Sequence, residues 1–559
     1  MKRRAAKRRT AKQVEPAAAE PWRRLLLGSL PALAFLLGCT PMSDFDVWWH
    51  LRTGQLILQS GAVPRVDLFT YTNATRPWID VHWLYQVGLA SLYGAGGASA
   101  LVLVKATAGA AIVGLSLLAR QPEQRAWPVA LAWLPGVLML SGRLSERPEL
   151  VSLVLLAVVL AVLARAPQKP RWLWLLPAAQ LLWVNCHGFF VMGPLVLAAY
   201  AAEWIVERLR PPAIPSERPP ARTFAVVAVA CAVACLVNPY GLAAVGFSFE
   251  QFQKVGPGLY RSTIGELKSA GDFIAAAGVG NPYLLAYFAS VLLGVASFVA
   301  CARRGRFSLY RALLFGAGAY LGWQATRNNG LCAGIAAFVT SWNFGDAVAA
   351  RPARRPRKDQ TGTLGGVTGP PATTPLGKAQ LRQRANLLLL AGVGTLAVAT
   401  VSGALYAWAG EGRRVGLGER PRWYAHDACA FLARPDLPAR DVTYNISQAA
   451  VCIAHGAPAH RQFMDPRLEV NTQETFERYL RGIQRLWRGD ATWEEPLGID
   501  HGRPDDVPAI LIERGPLGRA AEVLSRDPRW RCVFADPLAT VFVTSRFADQ
   551  HGLAPVPLH

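Results

Sequence analysis

Residues 43–84 read SDFDVWWHLRTGQLILQSGAVPRVDLFTYTNATRPWIDVHWL, and the interpretation of the whole chain turns on them. They carry four aspartates (Asp44, Asp46, Asp67, Asp80), two histidines (His50, His82) and four tryptophans (Trp48, Trp49, Trp78, Trp83), set between two apolar runs. Carboxylates beside aromatics at a membrane edge are costly unless they line a wet cavity. The stretch therefore reads as a working loop held in place by hydrophobic spans.

The rest of the chain fits that reading. Of its 559 residues 52% are hydrophobic and 17% charged, and the mean hydropathy is +0.21, too apolar for a soluble protein of this length. Apolar runs lie near residues 24–40, 98–119, 127–141, 149–164, 172–185, 187–205, 223–238, 281–301, 307–324, 329–347 and 386–409. That gives about eleven spans, several of them shorter than the roughly 20 residues that cross a bilayer comfortably. The run from Trp83 to Tyr93 is expected to lie at the surface or to extend the second span. The net charge of +22 sits in short loops between the runs, which fits the positive-inside rule and not a nucleic-acid-binding face. The nine cysteines form no CxxC pair, which argues against a zinc site or a disulfide framework, and Cys429, Cys452 and Cys532 allow at most one disulfide within the tail.

The expected architecture is mainly α: a polytopic transmembrane helical bundle with a small C-terminal α/β domain outside the membrane. Residues 1–23 form a basic cytoplasmic N-terminus, 24–350 the bundle with its outer loop at 41–97, 351–385 a disordered cytoplasmic linker, 386–409 the last transmembrane helix, and 410–559 the outer domain. An uncleaved first span accounts for the apolar stretch ending at Cys39; a lipidated Cys39 after Leu36-Leu37-Gly38 is the alternative. With the N-terminus inside, alternation places five basic loops in the cytoplasm: Arg120 and Arg125; Arg165, Lys169 and Arg171; Arg208 to Arg222; Arg303 to Arg306; and Arg351 to Lys358. The opposite face then receives DFDVWWH, RLSERPE (143–149), NCHG (185–188), NPYG (238–241) and ATRNNG (325–330), whose turns could converge on one cavity with the first loop. In the tail, strands are expected at Ala509–Ile512, Cys532–Ala535 and Thr540–Thr544, and helices at Thr472–Trp487 and Leu517–Leu524.

Asp44 and Asp46 stand two apart just beyond the first span. Either could deprotonate an acceptor hydroxyl, and together they could hold a divalent cation such as Mg or Mn, while a helix N-cap needs only one of them. His50, Asp80 and His82 could complete an acid/base network or a metal site, and His187 in the NCHG turn is a weaker ligand candidate. The four tryptophans read as an interfacial belt more readily than as a sugar-stacking platform. Arg143, Arg147 and Arg327 lie on the face where positive charge is otherwise scarce, and a guanidinium there can clamp a phosphate bidentately; pairing with Glu146 or Glu149 is their structural alternative. Glu266 is a weak candidate.

An aspartate-rich loop after span one, many spans and a soluble outer tail resemble the polytopic GT-C glycosyltransferases that use polyprenyl-phosphate sugars. More narrowly, the first-loop motif with PWIDVHWL, RPEL, LLWVNCHGFFVMG, LVNPYG, TRNNG and TYNISQAAVCIAHGAPAHRQFMDPRLEV resembles a group of bacterial membrane proteins described as glycosyltransferases. Two departures stand out: Asp80-Val81-His82-Trp83-Leu84 lacks a glutamate the group more often carries, and no glycine-rich turn follows Asn445. The resemblance implies a multi-pass protein of the bacterial inner membrane that takes a lipid-linked sugar from the bilayer on its outer face. Arg143, Arg147 or Arg327 would hold the phosphate, Asp44 or Asp46 would activate the acceptor, and no cofactor is required. The residues alone also admit a transporter or flippase of a lipid-linked or anionic solute, or a non-catalytic scaffold.

Overall fold

The computed structural model describes residues 21–120, 124–211, 217–254, 258–348, 375–503, 506–515 and 518–558. The expected basic N-terminus, up to residue 20, and residues 351–374 of the expected linker lie outside them. The last long helix begins at Pro375 and ends at Val401, so residues 375–385 belong to a helix.

Each of the eleven apolar runs coincides with a helix, from Pro21–Gly38 at the start to Asn329–Val348 and Pro375–Val401 at the end. Fewer of them meet the length and hydropathy of a membrane span. Among the described residues five helices are long and apolar enough to cross a membrane: Trp83–Ala119, Gly188–Leu209, Pro282–Ala302, Thr326–Val348 and Gln380–Val401. The others run from 10 residues (Leu175–Val184) to 18 (Pro21–Gly38) and do not combine the length and hydropathy of those five. The chain is thus a multi-pass membrane protein by its helices, with five of the described ones, not the expected eleven, meeting that measure. The segment from Trp83 does extend the second span, through a break at Gly96 and Gly97, where Gly97 takes φ 59° that a side chain would resist.

Small residues let the bundle close. A Cβ on Gly38 would stand 2.7 Å from the Ala106 backbone, and one on Gly136 would meet the Ala337 Cβ at 2.9 Å. These contacts draw the first helix onto Trp83–Ala119, and Ala126–Ser141 onto Asn329–Val348. The shared core includes Trp133, Trp183 and Phe190.

The tail folds as a five-stranded mixed sheet in the order β2-β1-β3-β5-β4, where β1 is Arg440–Thr443, β2 Arg461–Gln462, β3 Ala509–Glu513, β4 Trp530–Ala535 and β5 Ala539–Thr544. The pairs β1–β2 and β1–β3 are parallel, whereas β3–β5 and β4–β5 are antiparallel. Cys429 and Cys452 form a disulfide between the helices His426–Leu432 and Ile446–Gly456, while Cys532 stays free.

The first loop joins this sheet. Gln462 N donates to Phe69 O (2.9 Å) and Tyr71 N to Gln462 O (3.0 Å), so residues 69–71 lie along β2 as an added edge. Beside that seam the Arg467 guanidinium is bonded to Asp67 and Asp465, with all three side chains fully buried. Its Cζ lies 4.6 Å from the ring centres of both Phe69 and Trp78. Trp48, Trp49 and Trp78 are accordingly core residues with 4%, 4% and 1% exposure, not the interfacial belt expected from sequence. Trp49 and Trp78 are drawn in around the buried Arg467, and Trp48 packs instead against Tyr93, Tyr424 and His426.

Removing one partner from a buried ion pair costs about 3–5 kcal/mol, because the other charge is stranded. Arg467→Met is therefore expected to loosen the tail from the first loop. Limited proteolysis should cut the variant between the bundle and the tail at protease levels that spare the wild type.

Candidate functional site

The first helix ends at Gly38 and the chain turns beneath the tail, which fixes the backbone of the next residues. Trp423 Nε1 donates to Ser43 O (2.7 Å) and the Tyr424 hydroxyl to Asp44 O (3.0 Å). Asp44 Oδ1 then accepts from Asp46 N (3.0 Å), which starts the helix Asp46–Ser60. Neither aspartate is the N-cap, a position held by Phe45. Asp46 instead sits in the first turn, where the helix dipole favours a negative charge.

Both carboxylates face Arg147 of the RPEL turn. Its guanidinium is bonded to Asp44 Oδ2, stands 3.2 Å from Asp46 Oδ2, and meets Glu266 at 2.9 Å. Arg143 pairs with Glu149 (3.0 Å) and Glu266 (3.3 Å). Glu146, the third acid near this turn, is buried against Lys105 at 2.8 Å. The weakest sequence candidate, Glu266, is thus the hub that ties the two arginines together.

A cavity of about 450 Å³ opens beside this network. Of the residues singled out in the sequence, Asp46, Trp49, His50, His82, Arg147, Glu149, His187, Glu266 and Arg327 line it. Asp44, Arg143 and Asp80 stand behind the wall. Three of the four later turns reach the cavity, through Arg147, His187 and Arg327. The fourth packs behind the first loop: the Tyr240 hydroxyl donates to Pro64 O (3.2 Å) and Arg65 Nη1 to Pro239 O (2.9 Å). The NCHG turn is clasped to the same loop, since Trp83 Nε1 donates to Asn185 Oδ1 (2.9 Å) and Leu84 N to Asn185 O (3.0 Å).

Behind the histidines lies a polar chain. Asp80, fully buried, accepts from His82 N and from Gln86 Nε2, both at 3.1 Å, and its Oδ1 is 3.6 Å from His82 Nδ1. Gln86 Nε2 stands 3.3 Å from His50 Nδ1, and His187 Nδ1 is 2.7 Å from Ser152 Oγ. The imidazoles follow each other at 5.5 Å (His50 to His82) and 5.6 Å (His82 to His187). Burial pushes His50 and His187 well below the usual histidine range, so both are neutral at pH 7.

Burial raises the Asp46 carboxyl; Arg147 opposes that, Asp44 and Glu266 reinforce it, and the outcome is about 7. Burial also acts on Glu266, but Arg147, Arg143 and Arg327 outweigh it and hold that carboxyl well below the usual range. One acid is thus poised to exchange a proton near neutral pH while its neighbour stays ionised. Asp44, Asp46 and Glu266 converge on a guanidinium, and among the described residues no three His, Cys, Asp or Glu side chains are grouped to hold a metal ion.

The tail supplies lining residues that sequence reasoning missed, including Arg467 and Glu469. Their signal was the charged run Asp465-Pro466-Arg467-Leu468-Glu469, which follows the apolar Phe463 and Met464.

No family model matches the chain, and no curated protein matches it in sequence. Solved structures do. A crystal structure of the oligosaccharyltransferase from Archaeoglobus fulgidus in the apo form superposes with a TM-score of 0.55 over 88% of this chain and 69% of that one, at 12% identity. The archaeal oligosaccharyltransferase AglB from the same organism, in complex with an inhibitory peptide and a dolichol-phosphate, gives the same values. The chain shares its fold with these archaeal oligosaccharyltransferase structures. At 12% identity the likeness speaks for the fold alone.

Arg147→Ala would leave Asp44, Asp46 and Glu266 without their shared partner. Each lost hydrogen bond to a charged group contributes about 1.5–3 kcal/mol, so a clear drop in thermal midpoint is expected. Arg147→Lys should recover only part of it, because an ammonium cannot bridge three carboxylates as a planar fork does. Full recovery by lysine would show that charge alone holds the network.

Proposed function

We propose that this chain is an integral membrane glycosyltransferase of the GT-C type, moving a sugar from a polyprenyl-phosphate donor to an acceptor on the outer face of the bacterial inner membrane. In this reading the N-terminus is cytoplasmic and the tail extracytoplasmic, as the basic loops favour. The observation that carries the reading is the pairing, on one cavity wall, of a carboxyl poised near neutrality, Asp46, with an arginine that has no close ion-pair partner among the described residues, Arg327. The shared fold with the archaeal oligosaccharyltransferases supports it, and the dolichol-phosphate bound in one of those structures supports a lipid-phosphate donor.

The step follows from these groups. The acceptor hydroxyl gives its proton to Asp46 and its oxygen attacks the anomeric carbon. The bond from that carbon to the phosphate oxygen breaks, and the electron pair leaves on the phosphate, where Arg327 receives the developing charge. Asp44 and Glu266 act through Arg147, which they hold beside Asp46. Arg143 is spent on Glu149 and Glu266 and serves as a brace in this scheme.

Asp46→Asn should lower transfer on the order of 10²- to 10⁴-fold, the usual contribution of a general base. Asp44→Asn should lower it less, with thermal stability falling as well. Release of polyprenyl phosphate from a panel of polyprenyl-phosphate sugars measures both, and equal activity in the two variants would sink the assignment of the base. Because the base must be ionised, turnover should rise with pH through about 7 as Asp46 loses its proton. Arg327→Ala should weaken binding of polyprenyl phosphate at least about tenfold. Binding without release in the wild type would favour a transporter.

A further inference from the structure

The charges lining the cavity are almost all spent on one another. Asp46, Glu149 and Glu266 are each held by Arg147 or Arg143, Arg261 by Asp272 at 3.2 Å, and Arg467 by Asp67 and Asp465. Two lining groups stand apart. Arg327, from the bundle, and Glu469, from the tail, make no close ion pair with any described residue or with each other; Arg327 acts on Glu266 only at longer range, and the Glu469 carboxyl is met by its own backbone N–H. Glu469 Oε1 is a buried acceptor with no partner. Buried acceptors left unsatisfied are rare and costly, and such a group beside a cavity points to a donor brought by a ligand.

We propose that Glu469 forms the hydroxyl-recognising end of a sugar subsite in this cavity, which it shares with His82 and Trp49. This inference rests on the reading above that the cavity handles a glycosyl phosphate. Arg327 takes the phosphate, and Glu469 takes a sugar hydroxyl as hydrogen-bond acceptor.

A hydroxyl fits better than an ammonium group. Burial raises the Glu469 carboxyl and so disfavours its charged form, while His82, Arg467 and the residue's own backbone N–H act in the opposite sense. Asp465 is the acid that faces it, and Arg467 already neutralises that charge. The chemistry is that of a neutral sugar hydroxyl, which either the donor sugar or a sugar acceptor could bring.

The test uses the purified full-length chain and three probes: methyl glycosides of glucose, mannose, galactose and N-acetylglucosamine with their mono-deoxy analogues, polyprenyl phosphate alone, and the matching polyprenyl-phosphate sugars. At least one glycoside should bind the wild type in saturation-transfer NMR. Glu469→Ala should weaken it on the order of tenfold or more, Glu469→Gln less, and polyprenyl phosphate should bind both variants as it binds the wild type. One deoxy analogue should show the same loss against the wild type and no further loss against Glu469→Ala. If the matching polyprenyl-phosphate sugar is also weakened in Glu469→Ala, the hydroxyl belongs to the donor. If donor binding is unchanged and the KM for a glycoside acceptor rises, it belongs to the acceptor.

No glycoside binding by the wild type, or binding indifferent to both variants, overturns the subsite whatever the phosphate probe shows. Failure of the wild type to bind polyprenyl phosphate would instead strike the functional reading and leave the glycoside result standing.

Discussion

Arg467, Asp67 and Asp465, none of them exposed, set the position of everything the cavity needs. Desolvating a guanidinium and two carboxylates is costly, and the cost is offset only where geometry is tight and neighbouring groups assist. Here the assistance comes from the rings of Phe69 and Trp78 and from Asp67 Oδ1 and Oδ2, which also accept from the Phe69 and Thr70 backbone. The triad therefore does more than join the tail to the loop. It fixes the register in which residues 69–71 lie along β2, and with it the segment Pro466–Glu469 that lines the cavity.

A second network, built on Arg147, works by sharing. Three carboxylates share one guanidinium, and whereas Glu266 has two further arginines, Asp46 is buried with Arg147 as the one arginine opposing that burial. Its proton affinity rises while that of Glu266, served by three arginines, drops. Acids separated in this way by their surroundings carry different duties, and a poised base beside a permanently ionised brace is one such division.

Much of the helical part was legible in the sequence, because apolar runs report burial in lipid or core directly; every one of the eleven is helical. Their number exceeds the five described helices that are long and apolar enough to cross a membrane, since apolar runs also mark shorter helices such as Glu149–Arg165, buried along nearly its whole length. Strands β3, β4 and β5 were readable from their β-branched and aromatic residues, whereas β1 opens Arg440-Asp441 and β2 is two residues long, so neither carries a pattern. The convergence of Arg147, His187 and Arg327 followed from topology alone. The roles of the tryptophans and of Glu469 did not, because both depend on a contact between the first loop and a segment some 400 residues away, which no local pattern encodes.

That separation also sets an order of assembly. Asp67 leaves the ribosome about 400 residues before Arg467, and at roughly 5–20 residues per second the delay is on the order of tens of seconds. During that interval the first loop has neither its strand partner nor the countercharge for Asp67, and one wall of the cavity is missing. Assembly of the site is thereby deferred until the last quarter of the polypeptide has joined the first, so a partly made chain in the membrane presents a bundle without a finished cavity.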